Sequence, residues 1–277
     1  MISDIGPLSA LTNLYFLDVS DNLVADVAPI AGLTKLESLF VNKNLIKDYS
    51  PLSEVASDMS DRDFEPVAAP QAIEFNDSVL ERRVREQLGI PEGGITIAET
   101  EAVTELSLGN AWQETIPDDI KIRDISALKY FPNLLKLELW FNSIDRVEAL
   151  RALPNLGILD LNGNPIYDIT PIASCTNLKV LNISGTGTNN ISALAGLTQL
   201  ESLNLSYMPN LGNIEPVSNL TNLKELRLES LNVPLEPLAN LTNLTTLYIC
   251  QPTDKDLAPL AGIYPNLTDK NFELPQG

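Results

Sequence analysis

Glu138 and Asp160, 22 residues apart, are the pair that comes nearest to acid–base machinery. If that interval is one structural repeat, the two carboxyls lie on adjacent strands about 5 Å apart, and paired carboxylates can cleave glycosidic bonds. That mechanism also needs an enclosed substrate site, so the plainer expectation is two solvated acids on an acidic surface. Nucleophilic and metal chemistry are narrowed by composition: with no His among 277 residues there is no Ser-His-Asp or Cys-His pair and no His-rich zinc site. Cys175 is read as buried and Cys250 as outward-facing, about three turns away, an arrangement that disfavours a disulfide. No calcium loop of the D-x-[DN]-x-[DN]-G type accompanies the acids. Gly185-Thr186-Gly187-Thr188 lacks the Gly-Lys-Ser/Thr of a phosphate loop. No catalytic residue, metal or cofactor is therefore expected. Asn219, Asn240, Asn243 and Asn266 each open an Asn-Leu-Thr tripeptide, which a repeating phrase generates without any glycosylation.

The elements that position these residues follow from that phrase. L-x-N-L-x-x-L-x-L, aligned on its first apolar residue, starts at Leu11 and Leu33, then at Phe131, Leu153, Cys175, Leu197, Leu220, Leu241 and Ile263. The steps are 22 in the first group and 22, 22, 22, 23, 21 and 22 in the second. A period of this size, with an Asn three residues beyond the last Leu, marks a leucine-rich-repeat solenoid with one strand and a short return segment per turn. In the turn from Leu153 to Ala173, Leu156, Leu159 and Leu161 point inward while Ile158, Asp160 and Asn162 point outward. Asn164 leaves the strand where buried backbone groups need partners. Asp168-Ile169-Thr170-Pro171-Ile172 and its counterparts at Asp4, Asp26, Asp48 and Asp256 suit one turn of 3₁₀ helix, with Ser or Thr ahead of Pro at the start.

Periodicity also divides the chain. Residues 1–53 carry two full units, and since Met1 to Asp4 match Leu23 to Asp26, the chain reads as a piece of a longer protein with its address segment upstream. Residues 54–72, acidic and Pro-containing, read as a linker. Residues 73–102 read as a helical cap: Leu80, Val84 and Leu88 recur at helical spacing, Asn76 or Asp77 is the N-cap, Gly89 the left-handed terminator, and Thr96 with Glu99 a capping box. Residues 103–277 form a second array, with about nine extra residues around Asn110 to Lys121, including Trp112. The ladder Asn at Asn22, Asn44, Asn142 and Asn164 gives way to Thr186, Met208, Leu231 and Pro252, so later turns are expected to be less regular.

These repeats and the helical cap ahead of Val103 resemble bacterial leucine-rich-repeat proteins of the internalin-like kind. The expected fold is an α/β, right-handed solenoid with repeats of about 22 residues, a parallel concave sheet, a mostly 3₁₀ convex side and an α-helical N-terminal cap on the second array. Its outward positions make three columns. The first is Glu105, Lys136, Ile158, Val180, Ser202, Glu225 and Thr246; the second Ser107, Glu138, Asp160, Asn182, Asn204, Arg227 and Tyr248. The third is Gly109, Trp140, Asn162, Ser184, Ser206, Glu229 and Cys250. Candidate ligand contacts are Lys136, Glu138, Trp140, Phe141, Asp160, Asn162, Asn182, Asn204, Arg227 and Tyr248, with Trp140 taken as an exposed anchor.

The resemblance implies a non-enzymatic module that recognises a protein or glycan on a bacterial surface or as a secreted protein; the alternative is an intracellular leucine-rich scaffold or regulatory subunit. A formal charge of −19 argues against nucleic acid and anionic membranes as partners. Because about three stacked repeats are needed for stability, residues 1–53 are expected to dock on a neighbour, one candidate being an open C-terminal edge after Ile263, either in the same chain or, by slight preference, head to tail in another.

Overall fold

The structure, a computed structural model, describes residues 2–46, 48–65, 72–250 and 256–274. They fall into two compact units, Met1–Gln71 and Ala72–Gly277. The first unit holds three parallel strands in the order β1 (Phe16–Asp18), β2 (Ser38–Phe40) and β3 (Asp61–Arg62). A short helix, α1 (Ser53–Ala56), precedes β3.

The second unit begins with α2 (Ser78–Leu88) and α3 (Ile97–Glu101). One strand per turn follows: β4 (Glu105–Ser107), β5 (Lys136–Glu138), β6 (Ile158–Asp160), β7 (Val180–Asn182), β8 (Ser202–Asn204), β9 (Glu225–Leu228), β10 (Thr246–Ile249) and β11 (Asp269–Lys270). All eight form one parallel sheet in sequence order.

Each turn closes because its apolar residues converge on one axis. Leu153, Leu156, Leu159, Leu161, Ile166, Ile169 and Ile172 are all buried, each contributing roughly 1.5–3 kcal/mol. Neighbouring turns are joined by the sheet and by two columns of Asn. Asn164 Nδ2 donates to Leu161 O of its own turn (3.0 Å) and Leu139 O of the previous one (2.9 Å), while its Oδ1 accepts the Ile144 N–H. Asn142 and Asn44 do the same one turn earlier in their arrays. The Asn of L-x-N-L makes the second column: Asn155, Asn177, Asn222, Asn243 and Asn266 each donate to a carbonyl of the preceding turn, Pro132, Pro154, Thr198, Thr221 and Thr242 respectively. Two of the Asn-Leu-Thr tripeptides thus have their amide committed to the fold.

Several expectations change. The 3₁₀ turns are started by the Asp two residues ahead and not by Ser or Thr: Thr170 N–H donates to Asp168 Oδ1 at 2.8 Å, and no N-cap side chain bonds the Thr170–Ser174 helix. Loss of the ladder Asn does not break the sheet, since β8 to β11 remain paired while Met208 and Leu231 occupy its place as buried side chains. Pro252 lies outside the described residues. Asn110, read as part of the insertion, is a ladder residue bonded to Phe141 O and Asn142 Oδ1, so the excursion starts at Ala111.

The acidic linker expected from Glu54 does not start there. Val55, Ala56, Met59 and Phe64 are buried in the first unit and β3 pairs with β2; Pro66 and Pro70 lie outside the described residues. Asp61-Arg62-Asp63-Phe64 matches Asp269-Lys270-Asn271-Phe272 at the end of the second unit. In both, a two-residue strand is followed by an acid or amide that accepts the waiting N–H (Val41 N to Asp63 Oδ1, 2.8 Å; Ile249 N to Asn271 Oδ1, 3.0 Å). A buried Phe against a Tyr then covers the core, Phe64 on Tyr49 and Phe272 on Tyr264. The C-terminal end after Ile263 therefore carries a two-residue edge strand, β11, and a Phe plug over the core, which makes it a shorter template for head-to-tail docking than the open edge expected. The opposite edge of the first unit differs: Leu11 is 48% exposed where its counterpart Leu33 is 0% exposed, because β1 is the edge strand of the sheet among the described residues.

The helices preceding β4 serve its outer edge. Asp77, and not Asn76, caps α2 through Val79 and Leu80 N–H, and Gly89 ends it at φ 69°. The same carboxylate accepts Arg123 and Asp124 N–H at 2.7 and 3.0 Å. Burial alone would raise its pKa, but these four backbone donors hold it below the usual range. Arg83 donates to Leu108 O, Asn110 Oδ1 and Ile120 O, and Gln87 Oε1 accepts the Ser107 N–H. Thr96 and Glu99 form the expected capping box at α3.

Asn164→Ala should cost at least about 2 kcal/mol, since it strands two buried carbonyls and an N–H. Thr186→Ala, which loses one bond to Ile183 O, should cost less. Urea denaturation of both variants tests the ladder, and an equal loss would show that Asn164 is not what joins the turns.

Candidate functional site

The outward face of the eight-stranded sheet carries the candidate residues. Register places Lys136, Ile158, Val180, Ser202 and Glu225 in one column and Glu138, Asp160, Asn182, Asn204, Arg227 and Tyr248 in the next. The third column, from Trp140 to Glu229, lies just past the strands, where Phe141 N bonds Asn162 O and Tyr207 N bonds Glu229 O.

The acids are neither paired machinery nor simply solvated. Lys136 Nζ donates to Glu138 Oε1 at 2.9 Å, and that hydrogen bond raises the lysine pKa. Asp160 is half-buried and turns back on its own backbone, accepting Asn162 N–H at 2.9 Å and Asn182 Nδ2 at 3.0 Å. Burial pushes its pKa up; the two donors oppose that shift and Glu138 adds to it. Asn182 and Asn204 make the same turn with Ser184 and Ser206 N–H, while Asn162 Nδ2 reaches Ser184 O of the next turn. The amide-rich centre is therefore a hydrogen-bonded lattice that ends each strand.

Trp140 is half-buried, not the exposed anchor that its column suggested. A Cβ at Gly109 would stand 2.3 Å from the indole, so the absence of a side chain on the preceding turn is what seats the ring. Phe141, at φ 54°, rests on Gly163 of the following turn in the same way. The exposed tryptophan is Trp112 in the insertion, 72% exposed. At the other end, the Arg227 guanidinium lies 4.5 Å from the Tyr248 ring centroid. Arg227 Nε donates to Glu225 Oε1 at 2.7 Å and Tyr248 Oη to Asp269 Oδ1 at 2.6 Å. Those bonds raise the pKa of Arg227 and Tyr248 respectively. Glu225 stands in the first outward column and Asp269, paired with Thr246, extends it by one strand; neither is among the candidate contacts.

Trp140 and Arg227 stand four strands apart, roughly 19 Å at strand spacing. Among the described residues no group of three or more His, Cys, Asp or Glu side chains could hold a metal ion. Burial pushes the Cys175 thiol up to about 11, which leaves it protonated and unreactive at neutral pH.

The raised Asp160 carboxyl gives a pH test. A carboxyl with a folded pKa above its unfolded value favours the folded state while protonated and loses that contribution as pH rises through the folded pKa. Asp160→Asn, which puts in this column the residue type already at Asn182 and Asn204, should raise stability at pH 7, with a gain that shrinks as pH falls into the carboxylate range. A constant or growing gain in urea titrations at low pH would contradict that assignment.

A family profile described as "Leucine Rich repeats (2 copies)" matches residues 154–199. A search of curated protein sequences returns no significant match. Among solved structures, internalin C2 from Listeria monocytogenes is 32% identical with a TM-score of 0.64; the match covers 74% of this chain and 88% of that one. An internalin, InlF, from the same organism is 26% identical with a TM-score of 0.58, covering 99% of this chain and 78% of that one. Sequence identity and shared length together show that this chain belongs to the internalin family of bacterial leucine-rich-repeat proteins.

Proposed function

We propose that the concave sheet of the second unit binds an extended surface of another protein, and that the chain acts at a bacterial surface or in secreted form. An internalin-type solenoid is a protein-interaction scaffold in general; the site, the ligand class and the location are the proposal. One observation carries it: two clusters of the residue types that dominate interface energetics, Trp140 with Phe141 and Arg227 with Tyr248, are held rigidly at the two ends of one sheet. Between them Asp160, Asn182 and Asn204 form a flat polar floor whose side chains are already ordered, so binding freezes little further side-chain freedom. Location rests on the family relationship. Among the described residues no helix is long and apolar enough to cross a membrane.

The chemistry of this face argues for recognition over turnover. Glu138 is paired with Lys136 and Asp160 is committed to Asn162 and Asn182, which leaves neither carboxyl placed as a free acid–base partner.

Screening the full chain against an array of extracellular protein domains tests the reading. Trp140→Ala and Arg227→Ala should each weaken the captured interaction by about 2 kcal/mol, while Arg151→Ala on the convex side should leave it unchanged. Capture that survives both concave substitutions would place the interface elsewhere. Ester, peptide and glycoside substrates should all be left intact; turnover abolished by Glu138→Gln would overturn the non-enzymatic reading.

A further inference from the structure

The outward face of the first unit differs in chemistry from that of the second. Register pairs Phe16 with Ser38 and Asp18 with Phe40, and alternation along the strands turns all four side chains to one side. They form a tile of about 5 Å by 7 Å at strand spacing, with two phenyl rings on one diagonal and a carboxylate and a hydroxyl on the other. The ring centroids are 5.8 Å apart and their planes are inclined at 48°. Phe16 is 57% exposed and Phe40 is half-buried. The same two columns of the second unit contain no Phe.

Around the rings the tile is anionic. Asp18 is exposed and bonds only to Ser20, whose N–H it accepts at 2.9 Å. The bonds from Ser20 hold its pKa below the ordinary carboxylate range, so it is charged at neutral pH. Among the described residues, the side chains of Glu37, beside Ser38, and of Asp61, which extends the Phe16–Ser38 column, make no hydrogen bond or ion pair. The described cations of the unit are committed elsewhere: Lys35 to Asn13, Lys43 to Asp21 and Arg62 to Ala56 O. Among the described residues no basic side chain lies over Phe16 or Phe40. The second unit shows what such a combination of acid and ring holds. There the Arg227 guanidinium lies over Tyr248 of the next strand while its Nε donates to Glu225, two residues away on its own strand. In the first unit an outward acid and an outward ring again stand side by side, Asp18 against Phe40.

We propose that this tile receives an arginine side chain from another protein, as a site separate from the second unit's sheet and independent of the reading given to that sheet. A guanidinium is planar, stacks on aromatic faces and keeps its N–H edge for a carboxylate, which matches the Phe16 and Phe40 rings with Asp18 beside them. Lysine brings a point charge without the planar face. Phosphate and other anions meet Asp18, Glu37 and Asp61 as like charges. The sequence hides the site because Phe16 and Phe40 are 24 positions apart and become neighbours only through the register of β1 and β2.

NMR titration of the full chain with a glycine-spaced peptide carrying two arginines tests this, beside peptides of equal length with lysine or citrulline in their place. The arginine peptide should bind roughly threefold or more tighter than the lysine peptide. Citrulline, close in shape but uncharged, should not bind. Phe16→Ser, Phe40→Leu and Asp18→Asn should each weaken the arginine peptide roughly fivefold. Phe16→Ser repeats the residue type of Ser38 and Ser202 in that column, Phe40→Leu keeps apolar volume without the ring, and Asp18→Asn keeps an oxygen for the Ser20 N–H, so unchanged melting curves should accompany the loss. Trp140→Ala should leave this binding intact, which separates the tile from the second unit's sheet. Equal affinity for the arginine and lysine peptides, binding of the citrulline peptide, or affinity that survives Phe40→Leu and Phe16→Ser would overturn the proposal, because general attraction to a chain of formal charge −19 requires no ring.

Discussion

Every turn of this chain buries backbone groups that its own few strand residues cannot satisfy, and the rest of the structure follows from how those groups are paired. Strands of two to four residues supply only a few ladder bonds each, so side chains must complete the account. Asn does this because a single amide donates twice and accepts once within reach of two turns, as Asn142 and Asn164 do at the strand exit. Asn155 and its equivalents each add one donation to the preceding turn at the strand entry. The apolar residues provide most of the free energy. Where the ladder Asn is lost, at Met208 and Leu231, an apolar side chain fills the vacated space and the sheet stays paired.

The same constraint becomes acute at the ends, where a turn has no neighbour to bond. Both units stop in the same manner, with a two-residue strand, an Asp63 or Asn271 that accepts the last N–H, and a Phe packed on a Tyr. At the start of the second unit the task falls to α2. Arg83 and Gln87 reach the edge strand there, and Asp77 accepts four backbone donors at once. Helix and terminal motif look unrelated in sequence and answer one requirement.

Rigidity in the repeats is what makes the outward surfaces usable. Aromatic rings on this solenoid are seated on glycines of adjacent turns, Trp140 on Gly109, Phe141 on Gly163 and Tyr167 on Gly187, so they are ordered before any ligand arrives. The exposed Asn residues repeat one device on both sides: Asn182 and Asn204 at the strand ends, and Asn190 and Asn213 ahead of the 3₁₀ helices, each accept the N–H two residues on.

The sequence by itself determined the period, the strand in each turn, which faces are buried and the register of the outward columns, because a 22-residue repeat with alternating apolar positions admits one stacking. It also revealed the helices before β4, whose caps are local signals. Tertiary structure decided what local signals do not contain. Trp140 is half-buried because a glycine 31 positions earlier lies beneath it. Asp160 has a raised pKa because the neighbouring turns bury it and Glu138 stands on the strand before it, against the opposing hydrogen bonds from Asn162 and Asn182. Residues 54–65 close a sheet instead of linking two, although the likeness of Asp61-Arg62-Asp63-Phe64 to Asp269-Lys270-Asn271-Phe272 was present in the sequence throughout. Its meaning depended on seeing where each Phe is buried. Periodicity specifies how turns stack, since that is set by each turn's own residues; exposure and hydrogen-bond supply are set by what the neighbouring turns lack.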